Sequence, residues 1–168
     1  MNNNNWSYDQ DSGRYIIKGA RILYPNFAGE EQDYNQAGKR NFRLVVDETL
    51  AHELEGQGIH VRARPPRDET EEATYLIKVG VYPSSDIRIL SGKAMRQLDV
   101  DEFDLVDDEY RKGHVDNGRI GLEFHISRNT KVQSSSLYVR TDTMVVPITK
   151  SKLLEDYDDY DSDDPFDE

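Results

Sequence analysis

The chain has 168 residues, with 21 Lys and Arg against 33 Asp and Glu, a formal charge of -12 and no cysteine. That length suits one domain of about 100–150 residues plus tails, and the missing cysteines exclude a disulfide framework, a thiolate metal site and a cysteine nucleophile. No apolar run approaches the roughly 18–20 residues of a membrane helix, and the start MNNNNWSYDQDSG lacks the basic and apolar stretches of a signal peptide, so the expectation is a soluble cytoplasmic protein.

In chain order, residues 1–11 form a polar arm, Trp6 included, that is expected to be disordered. Arg14–Tyr24 is rich in β-branched and aromatic residues and predicts a strand, with Gly19 as a bulge or bend. A turn-rich stretch, Pro25–Arg40, follows. Asn41–Asp47 alternates, with Phe42, Leu44 and Val46 on one face and Arg43 and Val45 on the other. Glu48–Glu55 places Leu50 and Leu54 one turn apart and predicts a short helix ended by Gly56 or Gly58.

Ile59–Arg64 alternates again, setting Ile59, Val61 and Ala63 against His60, Arg62 and Arg64. After the stop at Pro65-Pro66, Thr74–Tyr82 puts Tyr75, Ile77, Val79 and Val81 opposite Thr74, Leu76, Lys78, Gly80 and Tyr82. Ile87–Leu90 is a short apolar piece, and Ser91–Leu98 reads as a polar connector. Asp99–Glu109 packs seven acids around Phe103, Leu105 and Val106, as an edge segment or a solvated acidic loop. Two further strands are expected, Arg119–Ser127 and Leu137–Pro147. Five or six strands, one short helix and long loops indicate a mainly β domain, a small barrel or sandwich, over residues 12–149. Phe42, Tyr75 and Phe124 fall on its apolar faces.

Residues 150–168 form a disordered tail by composition: Glu155 to Glu168 holds nine acids and no base. Without those nine, 24 acids face 21 bases, and residues 1–154 carry only -3. Whole-chain charge therefore averages a nearly neutral body and a strongly anionic tail.

Enzyme chemistry finds little support. Ser91-Gly92-Lys93 could end a phosphate loop only with Gly at position 87 and Ser or Thr at 94, where Ile87 and Ala94 stand. His52, His60, His114 and His125 make no HxxxH or HExxH pair. Asp99-Val100-Asp101 opens like a calcium loop, but the sixth and twelfth positions are Asp104 and Tyr110. No metal and no cofactor are expected.

The basic residues point elsewhere. Arg62 and Arg64 share a strand face, as do Lys78 and Tyr82. Arg43 lies near Lys39 and Arg40, and Tyr138 accompanies Arg140 on the last strand. Solvent-facing Lys, Arg and Tyr occur on any antiparallel sheet, but cations interleaved with rings also make a groove for single-stranded nucleic acid. Cations follow the phosphates, and unpaired bases stack on aromatics for roughly 1–3 kcal/mol each.

The tail ends in Asp163-Asp164-Pro165-Phe166, an exposed aromatic among acids that solubility alone does not explain. This tip resembles that of the single-stranded DNA-binding proteins of bacteria and many phages, although Asp167 and Glu168 follow it here. The body is similar to a phage-type branch of them in Tyr24-Pro25-Asn26-Phe27-Ala28-Gly29, in Asn35 to Gly38, in Arg40–Asp47 and in Gly58-Ile59-His60-Val61, a resemblance over roughly residues 16–90. It implies a non-enzymatic protein built on an OB-type five-stranded β-barrel with extra strands and loops. It also implies a role in phage replication or recombination, in the host cytoplasm, and it is compatible with a homo-oligomer. In such a groove Lys39, Arg40, Arg43, Arg62, Arg64, Lys78 and Arg140 would meet phosphates, and Phe27, Tyr82 and Tyr138 would stack on bases. Asp163, Asp164, Pro165 and Phe166 would recruit replication or recombination enzymes. The competing reading is an acidic DNA mimic that inhibits a host enzyme; it needs carboxylates spread over the body, and the body is nearly neutral.

Overall fold

A computed structural model of the chain describes residues 5–31, 37–66, 68–70, 73–129 and 136–149. The acidic tail, with Asp163, Asp164, Pro165 and Phe166, lies outside the described residues. The strands are β1 (Trp6–Asp9), β2 (Arg14–Asn26), β3 (Arg40–Val46), β4 (Arg62–Arg64), β5 (Thr74–Val81), β6 (Asp86–Ser91), β7 (Ala94–Gln97), β8 (Ile120–Asn129) and β9 (Ser136–Ile148). Two helices accompany them, α1 (Glu48–Gly56) and α2 (Asp104–Arg111).

Strands β5, β3, β2, β8 and β9 are neighbours in that order, and β9 returns to β5 through the parallel pairs Val79↔Val139 and Gly80↔Arg140. The sheet thereby closes into a five-stranded OB-type barrel, with β1, β4, β6 and β7 added around it. Alternation fills the barrel as the sequence predicts: Phe42, Leu44 and Val46 of β3 and Ile120, Leu122 and Phe124 of β8 are buried. Gly19 falls where the β2–β8 register shifts, between Ile17 and Ala20. Helix α1 starts where Asp47 accepts the Leu50 amide at 2.7 Å, and it buries Leu50, Ala51 and Leu54.

Four local expectations are corrected. The arm is not disordered from Trp6 onward: β1 pairs with β2, Trp6 opposite Ile17, and Trp6 packs against the core. The strand expected over Ile59–Arg64 is only Arg62–Arg64, because the Ile59 amide first bonds back to the Leu54 carbonyl at the end of α1. Ala63 is exposed because β4 is an edge strand outside the closed wall. The connector Ser91–Leu98 holds β7, folded onto β6 through a turn with Gly92 at φ +62°.

The fourth correction concerns the acidic segment, which is neither an edge strand nor a loop. Phe103 and Val106 are fully buried, one helical step apart, while the acids between them line the other sides of a short 3-10 turn and α2. The Asp107 carboxylate accepts the backbone amides of Phe27 at 2.9 Å and Ala28 at 3.0 Å. Burial raises the pKa of Asp107 from its ordinary value, and these two amides oppose the rise. Among the described residues no helix is long and apolar enough to cross a membrane, and no His, Asp and Glu cluster could hold a metal ion.

Candidate functional site

Residues paired across neighbouring strands share a face of the sheet. Arg62 pairs with Leu76, and Leu76 with Val45; Lys78 pairs with Arg43; Gly80 pairs with both Asn41 and Arg140. Three successive rows thus bring side chains from β3, β4, β5 and β9 onto the outer wall of the barrel. A concave groove of about 930 Å³ runs there, its floor including the buried Ile59 and Leu76, its rim carrying Lys39, Arg43, Arg62 and Lys78.

One end of the groove is aromatic. The rings of Tyr82 and Tyr138 lie 6.1 Å apart at 54°, and the Arg140 guanidinium sits 4.2 Å from the centre of the Tyr82 ring. Arg140 also donates to the Ser84 hydroxyl at 2.8 Å, which fixes the guanidinium against the ring. Gly80 makes this possible: a Cβ on it would stand 2.9 Å from Tyr82 ring atoms, so the tyrosine can lie across the strand only because residue 80 has no side chain. Burial beside Tyr138 raises the Tyr82 pKa, against the opposing charge of Arg140. Hydrogen bonds from Ser127 and Arg140 lower that of Tyr138.

Three cations of the groove, Arg43, Arg62 and Lys78, have no carboxylate partner among the described residues. Lys78 has its pKa lowered by partial burial and then by the charges of Arg43 and Lys39. Among the described residues, Arg14, Arg88, Arg96 and Arg111 each form an ion pair with a carboxylate, whereas Arg43, Arg62 and Lys78 form none. Like charges directly opposite on a sheet destabilise it, so Arg43 facing Lys78 is a standing repulsion that an anionic ligand would relieve.

The structure gathers most of the residues singled out in the sequence and separates two. Lys39, Arg43, Arg62, Lys78, Tyr82 and Tyr138 line the groove, and Arg140 holds its aromatic end. Arg64 stands on the same face of β4 and donates to the Tyr24 hydroxyl at 3.2 Å. Arg40 borders the groove, but it shares the parity of the buried Phe42: its guanidinium lies 5.9 Å over the Phe103 ring, and its Nε is buried without a partner. Phe27 is corrected outright. It is fully buried, stacked on Phe42 at 5.6 Å and 4°, and has no surface on which a base could stack. Asn41, His60, Arg128 and Tyr24 complete the surroundings. Arg128 was missed because it lies one residue past the stretch whose alternation could be followed, on a strand that continues to Asn129.

The chain matches the model of a family described as a phage ssDNA-binding domain over residues 9–102. No curated protein matches it. Its fold is similar to a solved single-stranded DNA-binding protein from bacteriophage Enc34 at 8% identity, with a TM-score of 0.52 over 87% of this chain and 86% of that one. The same Enc34 protein in complex with ssDNA gives a TM-score of 0.54 at 8% identity, covering 88% of this chain and 93% of that one. The family match spans β2 through β7 and so takes in Lys39, Arg43, Arg62, Lys78 and Tyr82 of the groove. The chain belongs to the phage ssDNA-binding domain family.

Proposed function

We propose that the chain binds single-stranded DNA in this groove and coats it during phage replication or recombination. The uncompensated Arg43–Lys78 pair beside the Tyr82–Tyr138 rings is the observation that carries the reading, because it offers charge for phosphates and a platform for bases in one place. The family, one of binding proteins and not of enzymes, supports it. A labelled oligonucleotide is expected to bind well ahead of a duplex of equal length, with little sequence dependence. Affinity should fall with salt at a log–log slope near -3, about -0.7 for each of four phosphates met by Arg43, Arg62, Lys78 and Arg140. Equal affinity for the duplex would overturn the reading.

The lowered pKa of Lys78 adds a pH signature. The protonated amine is the binding form, so its contribution is complete below its folded pKa and is lost as pH rises through it. With an adenine oligonucleotide, affinity should begin to fall at a pH below the ordinary lysine range, near 10.4. Tyr138, whose pKa is lowered as well, would add an anion to the groove as pH rises, so the comparison is made in a Tyr138→Phe background. There Lys78→Arg should remove the early fall, and an unchanged alkaline limb in the arginine variant would show that another group titrates.

The acidic tail is proposed to compete with DNA for the groove and to recruit replication or recombination enzymes through Asp163, Asp164, Pro165 and Phe166. Residues 150–168 can span about 60 Å when extended, farther than the roughly 33 Å of β9 between Ile148 and Tyr138. A tethered competitor acts at millimolar effective concentration. Truncation before Glu155 removes nine charges and should tighten DNA binding, most at low salt, where screening is weakest. Phe166→Ala should leave DNA affinity alone and abolish partner capture. Unchanged affinity on truncation, with normal capture by the Phe166 variant, would reduce the tail to a solubilising segment.

A further inference from the structure

The segment Tyr24-Pro25-Asn26-Phe27 carries two aromatics, and the barrel buries only the second. Tyr24 is 63% exposed, and its φ is +53°, a conformation that bulky side chains rarely adopt. The β2–β3 register shifts between Leu23 and Asn26, and such bulges re-aim side chains. Here the bulge turns outward a tyrosine that strict alternation would not place there.

The Tyr24 hydroxyl then accepts a hydrogen bond from Arg64 at 3.2 Å. Strand β2 is separated from β4 by β3 and β5, three spacings or roughly 14 Å across the sheet. The two side chains therefore reach toward each other over the outer face of β3 and β5, the face that carries Arg43 and Lys78. By register Tyr24 lies beside the Arg43–Lys78 row on β2, and Tyr138 flanks the same row on β9, so aromatic rings stand on both sides of the cationic row.

We infer that Tyr24, held by Arg64, is a second stacking subsite for an unpaired base, on the β2 side of the cationic row, across β3 and β5 from Tyr138. The inference rests on the single-stranded DNA reading of the groove. Stacking on protein rings is tolerant of sequence because every base has a π-face. The Arg64 bond restricts the ring before the ligand arrives, which lowers the entropy lost on binding. It engages the hydroxyl and not the ring, which stays largely exposed, and it keeps a guanidinium beside the ring for the adjoining phosphate.

The test compares oligonucleotide affinity and melting temperature for wild type, Tyr24→Ala, Tyr24→Phe and Tyr24→Gly. The alanine variant is expected to lose roughly tenfold in affinity with an unchanged salt slope, since no charge is removed. Phenylalanine keeps the ring and should bind within about twofold of wild type. Glycine is unstrained at positive φ, so Tyr24→Gly should melt no lower than wild type and yet lose affinity as alanine does. If wild type binds single strands preferentially while the alanine and glycine variants bind equally well, the subsite is wrong and the groove stands. If wild type shows no such preference, the reading of the groove itself fails, and the subsite with it.

Discussion

Lys78→Glu is expected to weaken single-stranded DNA binding by at least about tenfold at low salt while raising the melting temperature. Lys78 faces Arg43 directly across the β3–β5 pair, and neither is neutralised by a carboxylate among the described residues. A glutamate at position 78 converts this repulsion into an attractive pair. Cross-strand charge pairs contribute roughly 0.2–1 kcal/mol of either sign, and about 1 kcal/mol moves the midpoint of a domain of this size by roughly 2–4 °C. For DNA the change runs the other way, because one phosphate contact is replaced by an anion and a second, at Arg43, is occupied. The salt slope should become shallower by about 1.4, two contacts at about 0.7 each. Paired thermal melts and salt titrations check it. A lower midpoint with unchanged affinity would make Lys78 a structural residue and leave the groove without its central charge.

Phe27→Ala should show the opposite signature, a large loss of stability with little change in the affinity of the folded protein. Phe27 is fully buried, stacked in parallel on Phe42, with its backbone amide bound to Asp107. Truncating such a ring costs about 3–5 kcal/mol in lost burial and residual cavity, a large share of the 5–15 kcal/mol typical of a domain. Denaturant unfolding should show a lower midpoint, and binding measured in the cold, where the variant remains folded, should stay near wild type. Tyr82→Ala provides the contrast: its ring closes the aromatic end of the groove and lies against Arg140, so affinity should fall more than stability. Were Phe27 a stacking residue, its variant would behave as Tyr82→Ala does.

The alternation of two residues per strand was enough to place the cations of the groove. Arg43 and Lys78 sit between buried neighbours in β3 and β5, and a period of two assigns their face without knowledge of the partner strand. The leucines of α1 and the acidic run after residue 154 were equally legible, since each is a local pattern. Which strands meet was not local. The β5–β9 pairing that closes the barrel joins residues 79 and 139, and only that closure sets Tyr82 beside Tyr138. The same holds for the segments read wrongly. Trp6 is ordered because β2 has an edge to offer it, and Phe103 is buried because α2 covers the Phe27–Phe42 side of the barrel, where Asp107 binds the Phe27 amide. Tyr24 and Phe27 make the point most sharply. Three residues apart in one motif and both aromatic, they are indistinguishable by composition. A bulge at Leu23–Asn26, fixed by the register of β2 against β3, sends one to solvent and the other into the core.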